Sequence, residues 1–105
     1  APIEEREEED ALAAGAAWRV ELPNPYGRGS TIRLAAPAGT PIVAEIYSLE
    51  GRLVRRLYQA IAPASGANVS WDGRTNSGEL AGSGVYWLNL RGEETSVRKR
   101  LLLVQ

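Results

Sequence analysis

From residue 18 onward the chain alternates apolar and polar positions with the period of two that belongs to half-buried strands. Trp18, Val20 and Leu22 alternate with Arg19 and Glu21, which predicts a strand over 18–22, and Pro23-Asn24-Pro25-Tyr26-Gly27 stops it. Ile32 and Leu34 against Thr31 and Arg33 predict a second strand over 31–34. Ile42, Ala44 and Ile46 against Val43, Glu45 and Tyr47 predict a third over 42–47, and Ser48-Leu49-Glu50-Gly51 has the length and terminal glycine of a hairpin loop. A fourth strand, 52–58, breaks the alternation. Val54 and Leu57 cannot both face a core from a regular strand, so a bulge is predicted there.

The remaining chain continues in the same style. A loop over 59–66 crosses to a fifth strand at 67–72, and a polar, glycine-rich connection leads from Asp72 to Gly84. A sixth strand follows at 85–91, then a tight Gly92-Glu93 turn and a seventh strand at 95–104. Because Leu101, Leu102, Leu103 and Val104 offer apolar residues to both faces, the last strand is expected inside its sheet and not at an edge. Seven short strands with frequent turn signals and no helical period predict an all-β, two-sheet antiparallel sandwich. Its centre is expected at Trp71 and Tyr86. With Tyr86, Leu88 and Leu90 pointing inward, Val85, Trp87 and Asn89 point out. Trp87 then reads as a partly covered structural tryptophan or as an exposed contact, for a sugar or for another protein surface.

Composition narrows the chemistry. The 105 residues contain no cysteine and no histidine, so there is no disulfide, thiol nucleophile, thiolate or imidazole metal ligand, or histidine base. Carboxylates, Lys99 and tyrosines are left as acid–base groups, and no Gly-x-Ser-x-Gly or Ser-x-x-Lys motif occurs, so no enzyme is expected and no cofactor. The oxygen-rich loop Asp72-Gly-Arg-Thr-Asn-Ser-Gly78-Glu79 departs from the EF-hand pattern at Arg74 and Ser77. Its Asp72 and Asn76 are expected to bond to the loop's own backbone, with no metal site.

Residues 1–10 carry six acids against Arg6, which leaves a mildly basic body. The body's bases are spread over the strands without an aromatic-lined basic stripe, so no nucleic-acid partner is expected. No apolar run has the length of a membrane-spanning helix. Residues 1–17 read as a flexible acidic linker, in which a short helix over 4–14 would end at Gly15, and residues 18–105 as the folded domain. The chain opens on Ala1 and is expected to be a piece of a longer protein, with targeting information upstream.

Several motifs converge on one family. Asn24-Pro25 follows the first strand, Ile46-Tyr47-Ser48-Leu49-Glu50-Gly51-Arg52-Leu53-Val54 forms a hairpin, and Val69-Ser70-Trp71-Asp72-Gly73-Arg74 precedes Gly84-Val85-Tyr86. Arg98-Lys99 then leads into an aliphatic terminus. Together these resemble the C-terminal sorting domains of the bacterial type IX secretion system (Por secretion tails), which are related to the immunoglobulin-like C-terminal domain of the flagellar hook-capping protein. The resemblance runs from about Leu22 to Gln105. It departs from the family pattern at Ser48, where Asp is usual, and at Gln105, where a basic residue is frequent.

The resemblance implies a seven-stranded, antiparallel, immunoglobulin-like β-sandwich without disulfide. It also implies a non-catalytic role: the domain directs an exported cargo, often a hydrolase joined upstream, through the outer-membrane machinery. A sortase-like peptidase then cleaves the domain, and cargo is left on the cell surface after transit through the periplasm. The implied recognition residues are Asn24, Pro25, Gly51, Arg52, Arg98, Lys99, Arg100, Leu101, Leu102, Leu103, Val104 and Gln105. The alternatives are a structural or assembly module of the hook-capping type and a carbohydrate-binding accessory domain.

Overall fold

Alternation of the kind read above can bury an apolar face only against a second sheet, and the computed structural model, which describes residues 17–105, has that arrangement. The acidic linker and its short helix lie outside the described residues, apart from Ala17. Eight strands form: β1 (Arg19–Glu21), β2 (Tyr26–Gly27), β3 (Thr31–Ala35), β4 (Pro41–Tyr47), β5 (Leu53–Ile61), β6 (Ala67–Ser70), β7 (Gly84–Arg91) and β8 (Ser96–Val104). They make a three-stranded sheet, β1-β3-β6, and a five-stranded sheet, β2-β8-β7-β4-β5. No helix occurs among the described residues.

The expected seven strands are therefore eight, and the sheet pairing is not wholly antiparallel. The additional strand, β2, lies within the segment read as a strand terminator, and it pairs parallel to β8 through Tyr26↔Leu103 and Gly27↔Val104. Two residues are too short to show a period, so the alternation could not reveal them. The fourth strand also runs further than expected, to Ile61, and pairs back to Pro41. Its predicted irregularity is present twice. The β4–β5 register skips Leu57 between the Ala44 and Glu45 pairs and skips Val54 between the Ile46 and Tyr47 pairs. Those extra residues are the two whose spacing broke the alternation, and both pack against the core.

The core is built from the inward positions of both sheets. Ile32 and Leu34 of β3 meet Ile42, Ala44 and Ile46 of β4, Leu88 and Leu90 of β7, and Leu101 and Leu103 of β8. Trp71 sits fully buried at the end of β6, its indole N–H donating to the Arg74 carbonyl at 2.8 Å. Tyr86 packs edge-on against it with ring centroids 5.4 Å apart, and Tyr26 approaches from the other side at 6.4 Å. The Tyr26 hydroxyl accepts the Trp71 backbone N–H at 2.7 Å and lies 2.5 Å from the Ser30 carbonyl, its acceptor. A buried phenol hydroxyl needs such partners, and these bonds tie the five-stranded sheet's edge to the strand that ends the smaller sheet.

Candidate recognition surface

β8 carries most of the predicted recognition residues, and the pleat divides them. Leu101 and Leu103 point into the core and are fully buried. Leu102 and Val104 stand on the outer face, 42% and 49% exposed. Period two also separates the basic triplet: Arg98 and Arg100 share the outer face with Leu102, whereas Lys99 lies on the face of Val97 and Leu101. The expectation that β8 has a neighbour on each side holds, with β7 along its whole length and β2 at its end.

Asn24 extends the short β2 contact. Its side-chain amide donates to the Arg100 carbonyl at 3.1 Å, and its side-chain oxygen accepts the Leu102 N–H at 2.9 Å. One carboxamide thus serves the β8 edge as a strand backbone would, immediately ahead of the Tyr26↔Leu103 pair. The Asn24-Pro25 peptide bond is cis. Gln105 is likewise tied into the body. Its side-chain amide donates to the Gly73 carbonyl at 2.9 Å and to the Ala81 carbonyl, and its backbone N–H donates to the Ser83 hydroxyl at 3.0 Å. Gly73 has φ +75, and a Cβ there would stand 2.9 Å from Gln105 Oε1, so a glycine is needed both for the turn and for the terminal side chain.

Gly51 and Arg98, distant in sequence, meet at one cleft. The β4–β5 turn closes with Gly51 at φ +85 and its N–H donating to the Ser48 carbonyl. The sheet order then sets Tyr47 beside Trp87 and Asn89 beside Arg98. Tyr47, Ser48, Leu49, Gly51, Trp87, Asn89, Ser96 and Arg98 line a cleft of about 500 Å³ on the outer face. The Arg98 guanidinium lies over the Trp87 ring, 4.6 Å from its centroid, as a diagonal cross-strand pair. Trp87 is thus half-buried and partly covered by a cation, between the two alternatives the sequence left open. Of the other predicted residues, Arg52 sits on the same turn, and its N–H donates to the Ser48 hydroxyl at 3.2 Å.

Beside this cleft lies an ion cluster that pattern reading missed. Glu45 occupies an outward position of β4 yet is 1% exposed. Arg56 Nε and Nη2 donate to its Oε2 at 3.2 and 3.1 Å, and Arg91 Nε and the Tyr47 hydroxyl each donate to Oε1 at 3.1 Å. Burial alone would push this carboxyl's pKa up. The bonds from Arg91, Arg56 and Tyr47 outweigh burial and hold it below its ordinary value. The Tyr47 hydroxyl is pushed up, by burial first and then by its bond to the Glu45 carboxylate. In sequence Glu45 is one more polar residue in an alternating strand. The signal is its pairing: Arg56 stands opposite on β5, and Arg91 is two residues beyond its β7 partner Asn89.

Among solved structures the chain is similar to modules of two larger proteins. Dimeric latent PorU from Porphyromonas gingivalis matches 81% of this chain with a TM-score of 0.68 and 26% identity. PorZ from the same organism matches 90% with a TM-score of 0.57 and 26% identity. PorZ is an essential surface component of the type IX secretion system. The matched parts amount to 9% of the PorU chain and 12% of the PorZ chain, so the likeness concerns one small module of each. No family model matches the chain, and no curated protein matches it.

The glycine-rich connection after Trp71 is accounted for by the fold. Asp72 accepts the Arg74 N–H at 3.0 Å within its own turn, as expected, and also faces Arg55 at 3.4 Å. Asn76 departs from expectation. Its side-chain oxygen accepts the Arg56 N–H at 3.1 Å and its own N–H donates to the Val54 carbonyl at 2.9 Å, so it fastens the loop to the bulged edge of β5 and not to itself. A bulge leaves ladder groups unpaired, and this residue satisfies them. Among the described residues no cluster of acidic side chains suits a metal ion. Among the same residues no helix is long and apolar enough to cross a membrane.

Proposed function

We propose that residues 18–105 form an immunoglobulin-like C-terminal sorting domain that directs an upstream cargo, a hydrolase in the first instance, through the type IX secretion system to the cell surface. The observation that carries this reading is the likeness, at 26% identity over most of the chain, to one module of PorZ and one of PorU. It is supported by the way the fold gathers the implied address. Asn24, Arg98, Arg100 and Leu102 lie along one strand edge and its outer face, and the Gly51 turn reaches the same face. The domain acts as an address and an anchor, not as a catalyst. The outer-membrane machinery reads it, and a sortase-like peptidase acts upstream of Trp18.

The test is export of a reporter fused to residues 1–105 in a bacterium with a working type IX system. Deleting 98–105 would strip Leu101 and Leu103 from the core and unfold the domain, so the address is probed instead by the exposed pair Arg98→Ala with Arg100→Ala. The fusion is expected at the cell surface and the paired variant in the periplasm, with both equally folded in vitro. A folded parent fusion that never leaves the periplasm would overturn the sorting reading.

A further inference from the structure

The outer face of the five-stranded sheet is basic. By the pleat it carries Arg98 and Arg100 on β8, Arg91 on β7 and Arg56 on β5, and its one acid among the described strand residues is Glu45. Glu45 is buried and presents no carboxylate to solvent, whereas its partners Arg56 and Arg91 are 49% and 46% exposed. One carboxylate cannot neutralise two guanidinium ions, so the surplus positive charge lies on the solvent side. Arg98 and Arg100 have contacts of their own; they add to the charge of this face and are not called on for donors.

Arg56 and Arg91 do have donors to spare. Of the five N–H groups on each guanidinium, Arg91 spends its Nε and Arg56 its Nε and Nη2, all on Glu45. Neither guanidinium bonds to another acceptor in the described part of the chain. The chain also contains the matching anions. Residues 1–10 hold six acids against Arg6, and they join the body at Trp18, which is buried against Gly92, the residue after Arg91. Ala17 is seven residues beyond Asp10, at most about 25 Å of chain, and Arg56 lies two strands from β7, about 10 Å across the sheet.

The tether makes the encounter intramolecular, so exposed ion pairs that are weak between separate molecules form here at high local concentration. The three-stranded sheet offers less. Its Arg33 already bonds to Asn68 and to the Ser65 carbonyl, and it stands opposite the exposed acid Glu21. Glu93 and Glu94, exposed on the β7–β8 turn, repel the acids from the turn itself.

We infer that the acidic segment 4–10 docks in cis on the outer face of the five-stranded sheet, with its carboxylates on the remaining N–H groups of Arg56 and Arg91. An acidic partner then meets this face only by displacing the segment. The inference is independent of the export reading and can stand or fall without it.

The chain has no cysteine, so Ala11→Cys gives the full chain a single attachment point for a nitroxide without removing an acid. Amide relaxation then reports which sheet the segment lies on. At about 10 mM salt, where the screening length is about 30 Å, Glu45 and Arg56 are expected to relax faster than Arg33 and Asn68, which lie in the other sheet. At about 1 M salt, where that length is about 3 Å, the difference should vanish. It should vanish at low salt as well when the six acids are replaced by Gln or Asn, a change that touches no residue of the two sheets. Arg91→Gln, which leaves Glu45 its bonds from Arg56 and Tyr47, should reduce it. Equal relaxation of the two sheets at low salt, a difference that survives high salt or neutralisation of the acids, or no reduction in Arg91→Gln would overturn the assignment.

Discussion

The Asn24 side chain holds the edge of β8 with two hydrogen bonds, and Asn24→Ala removes both while leaving the Pro25 backbone in place. The bonds are 3.1 Å to the Arg100 carbonyl and 2.9 Å from the Leu102 N–H. At about 0.5–1.5 kcal/mol net for each hydrogen bond, discounted because both groups can turn to water, the loss is about 1–2 kcal/mol. A domain of this size shifts its melting temperature by roughly 4–8 °C per kcal/mol, so a fall of about 4–16 °C is expected. Thermal unfolding followed by circular dichroism measures the total, and amide hydrogen exchange at Leu102 locates it. Asn24→Asp separates the two bonds. It keeps an acceptor for the Leu102 N–H and loses the donor to Arg100, so Leu102 should stay protected while the melting temperature still falls. If Leu102 exchanges in Asn24→Ala as slowly as in the parent, the side chain is not what closes this edge, and the reasoning fails.

Two further outcomes follow from buried polar groups. Because the folded-state pKa of Glu45 lies below its ordinary 4.5, its ion pairs stabilise the fold above that value, and the contribution is lost as pH falls through the lowered folded-state value. Urea midpoints measured from pH 6 down to pH 3 should therefore drop more steeply for the parent than for Glu45→Gln. At neutral pH the substitution should cost about 1–2 kcal/mol, the low end for bonds to charged groups because Arg56 and Arg91 are half exposed; equal pH slopes would refute it. Tyr26→Phe leaves the Trp71 N–H without its 2.7 Å acceptor in a fully buried place, and about 1–3 kcal/mol of stability should go with it. The near-ultraviolet circular dichroism of Trp71 should change as well, and an unaltered spectrum with an unaltered midpoint would count against the role assigned to that hydroxyl.

Most strands were legible because each buries one face, and a period of two is how a sequence writes that. The irregular fourth strand was legible for the same reason, since Val54 and Leu57 could be reconciled only by extra residues, which the β4–β5 register supplies. Tyr26 was not. It sits between Pro25 and Gly27, which punctuate a loop, and its burial is decided by Trp71, 45 residues away. The same limit governs the surface. That Arg98 would lie on the outer face was readable from its own strand, but that Gly51, Trp87 and Arg98 would share one cleft depends on the order β8-β7-β4-β5. No local pattern carries that order. Glu45 shows it most clearly, because its partners Arg56 and Arg91 lie on two different strands, and an alternating polar residue gives no sign of which neighbours it will meet.

Trp18 rests on the β7–β8 turn so closely that a Cβ on Gly92 would stand 2.4 Å from its ring. From that turn β8 runs on through the nine residues Ser96–Val104, about 27 Å at the usual rise, before Gln105 is fastened beside Gly73 and Ala81. The two ends of the folded part are thus held at opposite poles of a body whose longest dimension is 35 Å. The chain therefore enters the folded part at one pole, and the Gln105 side chain is fastened at the other. Two bodies seated at these poles would not contest the same ground.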